Sequence, residues 1–177
     1  MKKSSIAALI LLLTLSLTGC KPYLFPWERA EISGGTSPDD LIPPGESVTI
    51  TTEASVTQLK IKEVIDGDRL SQLTGGELNN CTVVVFNMQV SDLSEEIPSE
   101  GSAQMILKNG ILEEQEKETS SLSKVVKALQ IYALGSFTFG AEGSCDFFVL
   151  FHYNADYYRC LKYINRPGDT PVYFALK

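Results

Sequence analysis

His152 is the single histidine of this 177-residue chain. With Cys81, Cys145 and Cys160 it makes up the obvious nucleophile-and-base chemistry beyond the first twenty residues. A thiol or hydroxyl becomes a nucleophile when a base lies within hydrogen-bond reach and a third group orients that base. Ser144-Cys145-Asp146 puts a thiol at the start of an apolar run without a positioned base, so Cys145 reads as inert. His152 alternates with Leu150 and Phe148 and reads as a structural histidine, buried or facing an edge. Asp66-Gly67-Asp68 lacks the later carboxylates and terminal glutamate of a calcium loop, so a plain turn is expected. No Cys and His spacing suits zinc, and neither Gly34-Gly35 nor Gly75-Gly76 has the strand–loop–helix context of a phosphate loop. The expectation is a non-enzymatic protein with no metal and no cofactor.

Tyr153, Asn154, Asp156, Tyr157 and Tyr158 crowd one short segment. Exposed tyrosines beside short polar residues make adaptable contact surfaces, and loops on a rigid β scaffold often carry binding. The competing reading packs the rings on the rim of the core.

Cys20 offers a different chemistry. Lys2 and Lys3 precede an apolar run from Ile6 to Leu17, and Leu17-Thr18-Gly19-Cys20 closes it. The run is shorter than the roughly 20 apolar residues of a permanent membrane span. This segment, residues 1–19 with Cys20, resembles the signal peptide and lipobox of a bacterial lipoprotein. The resemblance implies a diacylglyceryl thioether on Cys20 and cleavage that leaves Cys20 as the new N-terminus. It also implies attachment of the chain to the extracytoplasmic face of the cell membrane. Two or three acyl chains anchor firmly where one binds only marginally. An ordinary secretory signal and an uncleaved anchor are the alternatives.

The chain carries 22 acidic against 15 basic residues, and removing residues 1–19 takes away Lys2 and Lys3 but no acid. An acidic domain without a basic cluster is repelled by nucleic-acid phosphates and anionic lipid, so neither is expected as a partner. Cys81, Cys145 and Cys160 permit at most one disulfide. In strand phase Cys145 follows Phe147, Val149 and Phe151 towards a core, Cys160 follows Lys162, and Cys81 follows Asn87 and Gln89. Buried free thiols are expected, with one disulfide left open.

The elements that would position these residues are mostly strands. Residues 20–46 are punctuated by Gly34, Gly35, Pro38, Pro43, Pro44 and Gly45 and read as a flexible tether without regular structure. Inside it, Tyr23-Leu24-Phe25-Pro26-Trp27 would sit either at the membrane interface or against the domain. Residues 47–177 alternate in short strands. Val84, Phe86, Met88 and Val90 share one face of a central strand, and Val64-Ile65 shifts phase as at a bulge. Asn109-Gly110 between apolar runs predicts a type I′ hairpin, and Glu113 to Glu118 reads as a solvated edge. Leu122, Val125, Val126, Leu129 and Ala133 form one helical stripe over 121–134, with Gly135 as its stop. About eight strands and one amphipathic helix result.

Three segments carry a further resemblance. They are Val83 to Ser91, Met105 to Leu112, and Phe139 to Ser144 with the strands Phe147 to Phe151 and Leu161 to Tyr163. Together they resemble the immunoglobulin-like, telokin-like domains of unknown function in lipoproteins of Gram-positive bacteria. The resemblance covers residues 47–177 and implies a mainly β fold. It would be an immunoglobulin-like β-sandwich of seven to eight strands with one inserted amphipathic helix. It implies location and architecture but no catalytic residues. The expected function is that of a protein- or peptide-interaction module with a partner in the cell envelope. The alternative is a lipoprotein that binds a solute or wall polysaccharide.

Overall fold

A computed structural model describes residues 30–98, 101–117 and 120–177. Cys20, the segment 1–19 and Tyr23 to Trp27 lie outside the described residues. The fold is mainly β. In chain order it runs β1 (Glu31–Ile32), β2 (Val48–Thr51), β3 (Val56–Asp66), α1 (Gly67–Thr74), β4 (Thr82–Ser91), β5 (Ile97–Pro98), β6 (Ser102–Leu107) and β7 (Leu112–Glu114). It continues with α2 (Ser120–Leu129), β8 (Tyr132–Ala133), β9 (Thr138–Phe139), β10 (Gly143–Phe151), a 3-10 turn (Ala155–Tyr157), β11 (Tyr158–Ile164) and β12 (Val172–Phe174).

Two larger sheets form. One has the order β1-β2-β3-β4-β10-β8, the other β12-β11-β6-β7, and β5 pairs separately with β9. Pairing is antiparallel except between β10 and β8, which run parallel. β4 reads as expected. Val84, Phe86, Met88 and Val90 enter a core shared with Met105, Leu161, Tyr163 and Phe174 of the other sheet. Phe86 stacks on Phe147 with centroids 5.2 Å apart and meets Phe174 edge-on at 5.7 Å. Val83 and Val85, on the opposite face, join a second cluster with Leu70, Val125, Phe148 and Leu150 beneath the two helices. Burial on both faces explains why β4 is almost uninterruptedly apolar. The expected phase shift in β3 is a bulge between Ile61 and Glu63.

Several expectations need correction. A second helix, α1, stands where only turns were anticipated. It spans eight residues, buries Leu70 alone among its side chains, and ends on Gly75 at φ +72°, so it offers too little apolar periodicity to stand out. Helix α2 stops at Leu129, because Gln130 takes the left-handed conformation at φ +58° and donates its N–H to the Val126 carbonyl. Ala133, placed on the helical stripe, lies instead in β8. The Asn109-Gly110 hairpin exists, but its turn differs from type I′. Only Gly110 has positive φ, the Gly110 N–H donates to the Leu107 carbonyl and the Leu107 N–H to the Ile111 carbonyl. That is a three-residue loop with the glycine in the left-handed bulge position.

Residues 30–46, anticipated as tether, carry regular pairing. β1 adds to β2, and Ile42 bridges to Phe174, donating its N–H to Tyr173 and accepting from Ala175. Arg159 also pairs with Asp39 at 2.8 Å. Ala30 belongs to the main core. Prolines and glycines ruled out a long strand here, but not docking onto strands elsewhere in the chain.

Candidate functional site

The segment after β10 turns back through the 3-10 turn into β11, and this turn holds the tyrosines singled out above. Tyr153 and Tyr157 are 50% and 60% exposed with ring centroids 6.1 Å apart, whereas Tyr158 is buried at 4%. Tyr158 therefore leaves the expected contact surface and joins the core edge, meeting Phe151 edge-on at 6.1 Å. Asn154 is half-buried, and Asp156 is exposed and paired with Lys177. The hydrogen bond from Lys177 holds the Asp156 carboxyl below its ordinary range.

The turn is braced from three sides. The Tyr158 hydroxyl donates to Glu113 Oε2 and accepts from the Tyr153 N–H at 3.0 Å. Glu113 Oε1 accepts from the His152 N–H at 3.0 Å. Asp66, the first carboxylate of the calcium-like pair, accepts from the Ala155 N–H at 3.1 Å, and the Thr82 hydroxyl donates to the Tyr153 carbonyl at 2.6 Å. Asp66 is thus committed to holding the turn. Among the described residues no group of three or more acidic, histidine or cysteine side chains could hold a metal ion.

His152 is exposed and lies beyond the end of β10, with Nε2 2.6 Å from Glu116 Oε2. Glu113 and Glu116, anticipated as part of a solvated stretch, both turn towards this bend, and the Glu116 N–H donates to the Leu150 carbonyl at 2.9 Å. Their partners lie more than thirty residues away in sequence, and nothing in a run of glutamates announces which one turns inward. Burial, with Glu113 and Glu116 next in weight, pushes the nearby Cys81 thiol up.

Cys145 was expected to face the core. It does lie on the core-facing side of β10, in phase with Phe147 and opposite Met88, but near the start of the strand it is only half-buried. Burial first, then Asp146, pushes its thiol up to about 11, which keeps it protonated at neutral pH. Seven residues of extended chain, about 23 Å, separate Cys145 from His152, so the two form no dyad. Cys160, read in phase with Lys162 and as a buried thiol, is fully buried. A register shift separates it from Tyr158, and it lies opposite Ile106. All three described cysteines are free thiols.

The exposed apolar side chains are unevenly placed. Of the seven large ones among the described residues, Ile111 (60%), Leu112 (51%), Tyr153 and Tyr157 lie at two adjoining turns, the β6–β7 hairpin with the start of β7 and the turn between β10 and β11. The Lys108 N–H donates to the Tyr157 carbonyl at 3.1 Å and holds the β6–β7 hairpin tip against the tyrosine turn. A cavity of about 340 Å³ opens elsewhere, bordered by Ser102, Gln115, Glu116, Leu122 and Leu134, and none of its described lining residues is aromatic. Comparison of the chain with protein-family models, curated proteins and solved structures gives no match.

Proposed function

We propose that this chain is a lipoprotein held through Cys20 at the extracytoplasmic face of the cell membrane. Its β domain, of immunoglobulin-like type, is a non-enzymatic module that binds another envelope protein or a peptide. The observation that supports this reading is the gathering of Ile111, Leu112, Tyr153 and Tyr157 at one end of the molecule. Rigid aromatic and aliphatic anchors on braced loops are what protein contact surfaces are made of.

The placement of the chain's start favours the same reading. Tyr153 lies at the Thr82 end of β4, and β1 follows Ala30 at the Ser91 end, where Thr51, Val56 and Ser91 are register partners. Ten residues of strand, about 30 Å, separate the two ends. Ten peptide steps from Cys20 to Ala30 reach at most about 35 Å. The tyrosine end is thus the end of β4 farther from the point where the tether joins the domain.

The test is cross-linking of the full chain in its own cells, followed by denaturing purification and mass spectrometry. One dominant envelope protein should be captured, the Tyr153→Ser/Tyr157→Ser variant should lose it, and thermal stability should be unchanged. A Cys20→Ser variant should leave the membrane fraction. Retention of the adduct by the tyrosine variant, or no adduct with the unaltered chain, overturns the reading.

A further inference from the structure

We infer that β7 is a docking edge that takes an extended basic segment of the partner protein as an added strand. This inference rests on the interaction-module reading and names how the partner is held.

The edge is identified by its backbone. In the β6–β7 ladder, Met105 lies opposite Glu113, the Leu107 N–H donates to the Ile111 carbonyl and the Gln115 N–H to the Ala103 carbonyl. Bonded pairs therefore fall on Ile111, Glu113 and Gln115, which turns the N–H and C=O groups of Leu112 and Glu114 outward. Among the described residues β7 has no second strand neighbour; the next outward group, the Glu116 N–H, is taken by the Leu150 carbonyl, so the open stretch runs from Leu112 to Glu114. The opposite edge of the same sheet is closed, because β12 is bridged by Ile42 and the Tyr173 N–H donates to the Gly35 carbonyl.

Side chains decide what the edge accepts. Leu112 and Glu114 share the face that carries Ile106 and Gln104, their register partners on β6, while Glu113 turns to the other face and is occupied by Tyr158 and His152. A second copy of this chain pairing antiparallel about Glu113 would set Glu113 opposite Glu113 and bring the two Glu114 side chains diagonally together on the other face, which disfavours self-association. A strand from a partner gains where this one repels: Lys or Arg beside Glu114, and an apolar residue two positions away beside Leu112. Charge and short length protect an edge from its own kind, but they do not account for Leu112 and Ile111 standing more than half exposed there. Continuity with Tyr157 at the hairpin tip extends the apolar contact beyond the ladder.

The probe is the blocked peptide acetyl-Thr-Arg-Thr-Val-Thr-Arg-Thr-amide, titrated into the isotopically labelled full chain in detergent micelles and followed by amide resonances. The expected result is saturable shifts centred on Leu112 and Glu114, weakened by salt and at least about fivefold weaker for the peptide with Glu in place of Arg. Glu114→Lys should reverse that preference. Glu114→Pro removes an outward N–H and spares the β6 ladder, a position where proline is tolerated, so it should abolish binding with little change in melting temperature. No saturable shift, shifts elsewhere, or insensitivity to both variants overturns the inference. So does concentration-dependent dimerisation lost in Glu114→Pro, which would make a second copy the occupant.

The cellular cross-link separates the two claims. An adduct lost in the tyrosine variant but kept by Glu114→Pro leaves the interaction module standing and overturns the docking edge. No adduct with any chain overturns the module, while the peptide titration still decides the edge.

Discussion

The Tyr158 hydroxyl and the Glu113 carboxylate are hydrogen-bonded, and the other oxygen of that carboxylate holds the backbone of His152. One side chain of an edge strand thus ties β7 to both limbs of the β10–β11 turn. The exposed tyrosines stand on a brace rather than on a loose loop.

Tyr158→Phe should cost about 1–3 kcal/mol in urea unfolding, because it leaves both the Glu113 oxygen and the Tyr153 N–H without their partner. Glu113→Gln should cost less, since the amide oxygen can still accept one bond. In the double variant the two losses should fall short of additivity, as expected for groups in contact.

Alkaline pH should unfold the domain early. Burial, then the Glu113 bond, raises the Tyr158 phenol far above its usual range, and burial, then Asp169, raises Tyr163. In the unfolded chain both ionise near pH 10, so there the folded state binds more protons than the unfolded state. Stability is therefore full below about pH 10 and falls as pH rises above it. Ultraviolet titration should show two phenols that ionise only with unfolding, and reversible ionisation of both in the folded state would contradict this.

Thiol chemistry should be slow and ranked. At pH 8 alkylation of Cys160 should await unfolding, since the residue is fully buried. Cys145 should react slowly and speed up towards pH 11, as its raised thiol deprotonates. Mass spectrometry of iodoacetamide-treated peptides reads both rates.

Gly101→Ala should destabilise by about 1–3 kcal/mol, since a Cβ there would fall on the Tyr163 hydroxyl and within 2.8 Å of its ring carbon. Tyr163→Phe in the same chain should rescue part of that loss by removing the nearest atom. Gln130→Gly, by contrast, should raise stability by about 0.5–1 kcal/mol, because it relieves a left-handed non-glycine at the end of α2.

Local pattern in the sequence carried the fold furthest. Val83 to Val90 announces a central strand because side-chain alternation is a property of consecutive residues. Asn109-Gly110 locates a hairpin, yet its turn class depends on whether Asn109 must also take positive φ, and one extra loop residue removes that need. The tyrosine turn was visible as composition. Its brace was not, because Glu113, Asp66 and Thr82 meet it from strands 39, 89 and 71 residues away from their partners. Tyr158 was grouped with its exposed neighbours for the same reason: nothing local distinguishes the ring that turns inward. The docking of residues 30–46 escaped because β1 is only two residues long and because Gly35, Asp39 and Ile42 find their partners on β11 and β12, more than a hundred residues on.

That last pairing bears on the order in which the molecule can assemble. Ile42 and Gly35 find their backbone partners only at Tyr173 and Ala175. A chain threaded out N-terminus first would therefore leave Gly35 and Ile42 without these partners until β12 had emerged. Contacts of such sequence separation form slowly. Loss of residues 173–177 should then loosen the stretch from Gly35 to Ile42 while Glu31 and Ile32 stay paired with β2, so that a break in β12 is felt as fraying far away in sequence.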